Sequence, residues 1–242
     1  MVAIEVNEIV KKYKDVTALD CCSLSVEEGE LFGLLGVNGA GKTTLIKVLC
    51  GLTKPTSGGA RVYGFNVVKE VGEVKKIVDI SPQETSVAPK LTVKENLQFF
   101  ASLYYADDGE RKEAVDEVVK TFALAEVLPR RAGKLSGGWQ RRLSIAAALI
   151  SRPKALFLDE PTLGLDVLAR RELWNTICAL KGRVTIVLTS HYLEEIEALC
   201  DRVAIMKQGK IIVTGTCQEI VKESGTENFE DAFVKAVTEA KV

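Results

Sequence analysis

The sequence predicts an α/β fold with a mostly parallel central sheet, an N-terminal antiparallel β subdomain and an inserted helical subdomain. Three observations predict it. Short apolar runs (Leu31-Phe32-Gly33-Leu34-Leu35, Ala155-Leu156-Phe157-Leu158 and Val184-Thr185-Ile186-Val187-Leu188) read as strands buried on both faces. The first segment alternates apolar and polar residues instead, as half-buried antiparallel strands do. From Leu91 to Ile150 the apolar spacing is helical. We therefore expect one domain, with residues 1–83 and 151–242 as core plus β subdomain and residues 84–150 as the helical subdomain.

The elements follow in order. Ala3–Val10 and Ala18–Val26 form the antiparallel pair, and Glu27–Glu30 turns into the strand Leu31–Leu35. A helix follows from Leu45. Gly51–Gly59 is a cluster of chain breakers. Ala60–Tyr63 and Lys76–Ser81 read as strands, the second ending at Pro82-Gln83. Thr92-Val93-Lys94-Glu95 has the spacing of a capping box and opens a helix toward Tyr105. Ala114, Val115, Val118, Val119 and Phe122 share one face of a helix over Glu110–Leu124. A third helix runs from near Ser136 to Ile150, and another spans Val167–Leu180. Val203–Met206 and Lys210–Val213 flank Lys207-Gln208-Gly209, a hairpin signal. Thr216–Glu219 has the spacing of a second capping box, and the tail to Val242 reads as amphipathic and helical.

Bulk properties bound the function. The chain has 242 residues, 47% hydrophobic and 27% charged, with 32 basic against 33 acidic residues. That balance argues against nucleic acid as a partner, which requires a basic face. No apolar run approaches the roughly 20 residues that span a bilayer. The N-terminus lacks the basic start and apolar stretch of a signal peptide, so a cytoplasmic location is expected. The six cysteines form no C-x-x-C pair and read as small core hydrophobes.

The chemistry centres on Gly36-Val37-Asn38-Gly39-Ala40-Gly41-Lys42-Thr43-Thr44, between an apolar strand and a helix. In that context G-x-x-x-x-G-K-[ST] is a phosphate-binding loop. Its glycines let backbone N–H groups point inward, and the following helix adds its positive end. Asn38 to Thr44 are the nucleotide contacts, Lys42 reaches the β- and γ-phosphates, and Thr43 ligates Mg²⁺. A second apolar strand ends in Asp159-Glu160 at the carboxyl edge of the sheet. Asp159 is placed to hold Mg²⁺, and Glu160 to polarise an attacking water. The third element, Leu135-Ser136-Gly137-Gly138-Trp139-Gln140, begins a helix. It reads equally as an ordinary N-cap or as a second anion site. Tyr13 reads as an exposed loop tyrosine or as a flat face for adenine.

Leu-Ser-Gly-Gly-x-Gln ahead of Leu156-Phe157-Leu158-Asp159-Glu160 resembles the signature of the ABC (ATP-binding cassette) ATPases, within the P-loop NTPases. The resemblance extends from roughly Ile4 to Thr216. Gln83 is similar to the Q-loop glutamine, Leu163-Gly164-Leu165-Asp166 to the D-loop, His191 to the switch histidine and Tyr13 to the adenine-stacking aromatic. Asp159–Asp166, Ser190–Glu195 and Leu199–Arg202 resemble the drug, antibiotic, polysaccharide and sodium exporter branch.

The resemblance implies an ATPase that uses ATP and Mg²⁺, with Thr43, Gln83 and Asp159 around the metal. Glu160, His191 and Gln83 are the implied catalytic set. It implies a second ABC ATPase subunit packed head to tail, so that Ser136, Gly137, Gly138 and Asp166 serve a partner's nucleotide. It also implies an integral-membrane permease docking on the lobe near Gln83–Tyr105, with the chain held on the cytoplasmic face of the membrane. The alternative is a soluble ABC ATPase outside transport, acting as a scaffold or regulator. The short stretch from Thr44 to Leu135 leaves no room for the coiled coil of repair members, and a single cassette is unlike the translation factors.

Overall fold

The structure, a computed structural model, describes residues 1–240. Lys241 and Val242, the end of the expected tail helix, lie outside the described residues. β1 (Val2–Tyr13) and β2 (Val16–Glu27) form a long antiparallel hairpin. β3 (Leu31–Leu35) leads through the glycine-rich loop into α1 (Lys42–Leu49). β4 (Ser57–Val62) pairs with β1 and with the short β5 (Phe65–Asn66), giving a four-stranded antiparallel sheet ordered β2-β1-β4-β5. α2 (Val71–Ile77) then precedes β6 (Val78–Ser81).

The helical block comprises α3 (Val93–Tyr104), α4 (Asp108–Thr121), 3-10 turns at Ala125–Val127 and Ala132–Lys134, and α5 (Gly137–Leu149). The chain returns through β7 (Ala155–Asp159), α6 (Val167–Cys178), β8 (Thr185–Ser190), α7 (Leu193–Leu199), β9 (Arg202–Lys207) and β10 (Lys210–Gly215). α8 (Cys217–Ser224) and α9 (Phe229–Glu239) close it. The central sheet is six-stranded, ordered β10-β9-β3-β8-β7-β6. Its pairs are parallel except β9 with β10.

Period-2 alternation divides the core. Leu31 and Leu35 of β3, Leu156 and Leu158 of β7, and Ile186 and Leu188 of β8 enter one apolar cluster with the helical block. Phe32, Leu34, Phe157 and Val187 enter the other, with α1 and the antiparallel sheet. Every residue of β3, β7 and β8 is buried, so both faces of the sheet are covered, as a parallel sheet requires.

Local signals resolve as expected at the caps. Both capping boxes form, Thr92 with Glu95 and Thr216 with Glu219. Gln208 and Gly209, both at positive φ (47° and 80°), make the two-residue turn between β9 and β10. Cys22 and Cys50 are buried, and burial pushes the Cys22 thiol up to about 11, so it stays neutral. No helix among the described residues is long and apolar enough to cross a membrane.

Two expectations need correction. Lys76 and Ile77 belong to the last turn of α2, and the strand begins only at Val78. The alternation across Lys76–Ser81 imitates a strand, while α2 is short and rich in β-branched residues of weak helix propensity. Packing of Val74, fully buried, holds it instead. The helix expected from Glu110 starts at Asp108, because the Asp107 carboxylate accepts from the Glu110 N–H.

α7 carries a buried carboxyl group. Glu195 has no exposed surface; Trp174 Nε1 donates to its Oε1 at 3.1 Å, and Oε2 has no partner among the described residues. Burial raises its carboxyl above the usual range. Folding therefore favours the protonated form. The contribution to stability is full below the ordinary carboxylate pKa of about 4.3 and is lost as pH rises through the folded value. Glu195→Gln, which cannot ionise, should gain stability over the unsubstituted chain as pH rises between about 4 and 8. Urea midpoints across that range check this; parallel profiles for the two proteins would contradict it.

Candidate functional site

Three parallel strands end at one level. Leu35 of β3 pairs with Ser190 of β8, and Thr189 of β8 pairs with Asp159 of β7. β3 continues into the glycine-rich loop, β7 into Glu160 and β8 into His191. The sheet thus gathers three segments that are far apart in sequence.

The loop needs its glycines for space as well as conformation. Gly41 has φ 107°, and a Cβ there would stand 2.6 Å from the Ala18 carbonyl oxygen. Lys42 follows, only 6% exposed. Its Nζ donates to Gly36 O at 2.6 Å and lies 3.3 Å from Glu160 Oε1.

Thr189 organises the acids. Its hydroxyl donates to Asp159 Oδ1 at 2.6 Å and accepts from the Glu160 N–H at 2.9 Å. Thr43 Oγ1 donates to the same Asp159 oxygen at 3.1 Å. Glu160 is held at φ 50°, a left-handed conformation that costs a non-glycine residue about 1–3 kcal/mol. His191 Nδ1 lies 2.7 Å from Glu160 Oε2. The imidazole lies 4.1 Å from the Tyr192 ring, tilted by 39°, and the Arg170 guanidinium lies over that ring at 4.8 Å. Both carboxylate oxygens of Glu160 are therefore gripped, one by an ammonium and one by an imidazole.

These groups open on a cavity of about 560 Å³, within the range of small-molecule sites. Asn38, Gly39, Ala40, Gly41, Lys42, Thr43 and Thr44 line it together with Gln83, Glu160 and His191. Asp159 lies beneath it and is reached through Thr43. The Asp159 and Thr43 oxygens are the hard donors that Mg²⁺ takes, and Gln83 adds an amide oxygen on the same cavity. No cluster of three or more His, Cys, Asp and Glu side chains suited to a metal exists among the described residues.

Other expected residues lie elsewhere. Tyr13 is 44% exposed with Lys11 Nζ over its ring at 4.7 Å, and the hairpin turns Val16, Thr17 and Ala18 toward the cavity instead. Ser136 occupies the N-cap position of α5, yet its hydroxyl makes no cap bond. Gly137 and Gly138 follow on that helix, and a Cβ on Gly138 would stand 3.0 Å from Ala169 Cβ of α6. Asp166 caps α6, its Oδ1 accepting from Leu168 and Ala169 N–H at 3.0 and 2.9 Å. None of these five lines the cavity. Thr189 escaped the sequence reading; the signal for it is a polar Thr189-Ser190-His191 ending to an apolar strand. Arg141, buried beside the turn that holds Gln83, also escaped it, because its place in a helix between polar residues reads as surface.

Known proteins agree with this architecture. The family described as ABC transporter matches residues 19–163. The linearmycin resistance ATP-binding protein LnrL of Bacillus subtilis is 38% identical over 98% of this chain and 76% of its own length. The daunorubicin resistance ATP-binding protein DrrA3 of Streptomyces coeruleorubidus is 38% identical over 94% of this chain and 72% of its own. A solved ATP-binding subunit of an ABC transporter superposes with TM-score 0.85 at 26% identity, covering 97% of this chain and 99% of that one. With a glycine-rich loop, paired acids and a histidine converging at one sheet edge, the chain belongs to the ABC transporter family, as an ATP-binding cassette similar to those of drug- and antibiotic-resistance transporters.

Proposed function

We propose that the chain binds and hydrolyses ATP, dimerises around it with a second cassette, and so powers export by a separate integral-membrane permease. The observation that carries this reading is the split arrangement. Lys42, Glu160 and His191 converge on one cavity, while Ser136, Gly137 and Gly138 sit outside it at an uncapped helix N-terminus. Such an end favours an anion, and a γ-phosphate held by another chain's loop supplies one. ATP then joins two positive helix ends, and its hydrolysis loosens the joint.

Within one site the chemistry starts from Lys42. Phosphate oxygens compete with Glu160 for the ammonium, which frees Oε1 to accept a proton from water. His191 holds the other oxygen and, once the γ-phosphate is in place, donates to it. Thr43, Asp159 and Gln83 hold Mg²⁺, which neutralises phosphate charge when bound. Gln83, on the turn between β6 and the helical block, relates the state of the γ-phosphate to the position of that block. Asp166, at the cap of α6, takes its place at the cassette interface. Tyr13 reaches the adenine only if the β1–β2 hairpin tip moves inward.

The permease docks on the lobe following Gln83, where Phe99, Leu103 and Tyr104 of α3 are exposed. Apolar side chains grouped on one helix suit a coupling segment from a membrane partner. The chain is thereby held on the cytoplasmic face. Recovery of tagged protein from gently solubilised membranes, followed by mass spectrometry, tests this. A multi-span membrane protein in stoichiometric amount is expected; only soluble partners would turn the assignment to a scaffold or regulatory ATPase.

Two substitutions probe the chemistry. Lys42→Ala should weaken nucleotide binding by about a hundredfold, the worth of charge-assisted bonds to phosphate, as read by equilibrium titration. Unchanged affinity would remove the loop from its assigned role. Glu160→Gln should keep affinity, lower kcat by about 10²–10⁴ and accumulate an ATP-bound dimer on size-exclusion chromatography. Hydrolysis by this variant at the unsubstituted rate would rule out Glu160 as the base.

A further inference from the structure

The arginine pair at the start of α5 divides its labour. Arg142, its side chain 11% exposed, pairs with Glu172 and stacks on Trp139. Arg141, only 4% exposed, points into the protein and meets main chain rather than a carboxylate. Nη1 donates to Pro82 O at 2.6 Å, and Nη2 donates to Gln83 O and, at 3.5 Å, to Glu160 O. One guanidinium therefore spans three segments: the helix that begins with Ser136, the turn that carries Gln83, and the turn that carries Glu160.

A buried cation is costly when its donors meet only carbonyls, and an apolar side chain fills such a space with less penalty. Asp159 and Glu195 supply the nearest compensating charge. What an apolar residue cannot supply is the planar fork, which fixes several acceptors relative to one another. The Glu160 acceptor is the informative one. Its residue sits at φ 50°, with its N–H tied to Thr189 and its carbonyl facing Arg141. The strained turn is thus held from the sheet on one side and from the helical block on the other.

We propose that Arg141 is a positioning residue. It sets the backbone of Glu160 and Gln83 relative to α5, so that the water-polarising carboxylate is aligned only when the helix bearing Ser136-Gly137-Gly138 is seated. This rests on the ATPase reading above and adds to it a route within one chain. A change at the γ-phosphate moves Gln83 and Glu160, and the fork passes that movement to the helix end that completes the other cassette's site. Arg141 does not touch the nucleotide, so affinity does not depend on it.

Arg141→Gln and Arg141→Lys in the full chain test this, with nucleotide affinity, kcat and thermal midpoint measured on each. The expected result is affinity within about twofold of the unsubstituted chain and kcat lower by about a hundredfold, the loss that misplacement by about 1 Å produces. Lysine should not rescue, since one ammonium keeps the charge but cannot span three carbonyls. Unsubstituted kcat in either variant overturns the proposal. So does a parallel fall of affinity, kcat and midpoint in Arg141→Lys, which is the signature of packing alone. If Arg141→Gln does not fold, Arg141→Lys decides by the same readouts. Absence of Lys42-dependent hydrolysis in the unsubstituted chain would overturn the ATPase reading and this one with it; intact hydrolysis in both variants would overturn this one only.

Discussion

The register of β3, β8 and β7 is the constraint on which the site depends. Thr189 lies opposite Asp159 and one residue before Ser190, which lies opposite Leu35. One hydroxyl therefore receives the Glu160 N–H while it donates to Asp159. A slip of one residue in a parallel pair would turn Thr189 to the other face of the sheet. Glu160 would then lose its amide partner and Asp159 the shorter of its two hydroxyl bonds. The register is itself fixed by burial. Leu156, Leu158, Ile186 and Leu188 face one apolar cluster, and Phe157 and Val187 face the other. Hydrophobic alternation across the sheet thus sets the chemistry at its edge.

That edge concentrates charge with little water to screen it. Lys42 and Glu160 are both nearly buried, 3.3 Å apart. A buried pair balances desolvation against attraction, so its net contribution to stability is small, while removing one member leaves a costly charge behind. The arrangement suits exchange. An incoming polyphosphate replaces one anion beside Lys42 with another, and the ammonium is never left alone. Glu160 keeps its second oxygen on His191 throughout. The carboxylate is oriented by an ammonium and an imidazole before substrate arrives, which lowers the reorganisation left for the chemical step.

The sequence discloses what is encoded locally. The phosphate loop, the paired acids after β7, both capping boxes and the Gln208-Gly209 turn depend on residues a few positions apart, and each is found where its spacing places it. Alternation failed at Lys76–Ser81, where a short helix and a short strand meet without a breaker between them. Contacts made across the fold carried no such signal. Arg141 and Glu195 each follow or precede a like-charged neighbour, Arg142 and Glu194, and are buried by contacts made across the fold. The place of Tyr13 was also beyond local reading, because the tip of a hairpin with two twelve-residue strands is set by its bulges and not by the tyrosine.

The helical block and the central sheet share one apolar cluster, but the seam between them at the β6 edge is polar. Where α5 meets β6 the contacts are polar: Ser81 Oγ lies 3.1 Å from Ser144 Oγ, and Arg141 binds the Pro82 and Gln83 carbonyls. Asp79, its carboxyl raised by burial, accepts from Tyr104 of α3 and from Ser151 beyond α5. Interdigitated apolar surfaces resist displacement because every shift opens voids. Hydrogen bonds between small groups contribute about 0.5–1.5 kcal/mol each and can be exchanged singly. At that edge such bonds can therefore be exchanged while the shared apolar cluster stays packed. Gln83 lies at one end of that seam, next to the cavity, and the exposed face of α3 at the other. On the proposed function, movement there would carry a change at the phosphate out to the surface, and the fork of Arg141 would set how far each end follows.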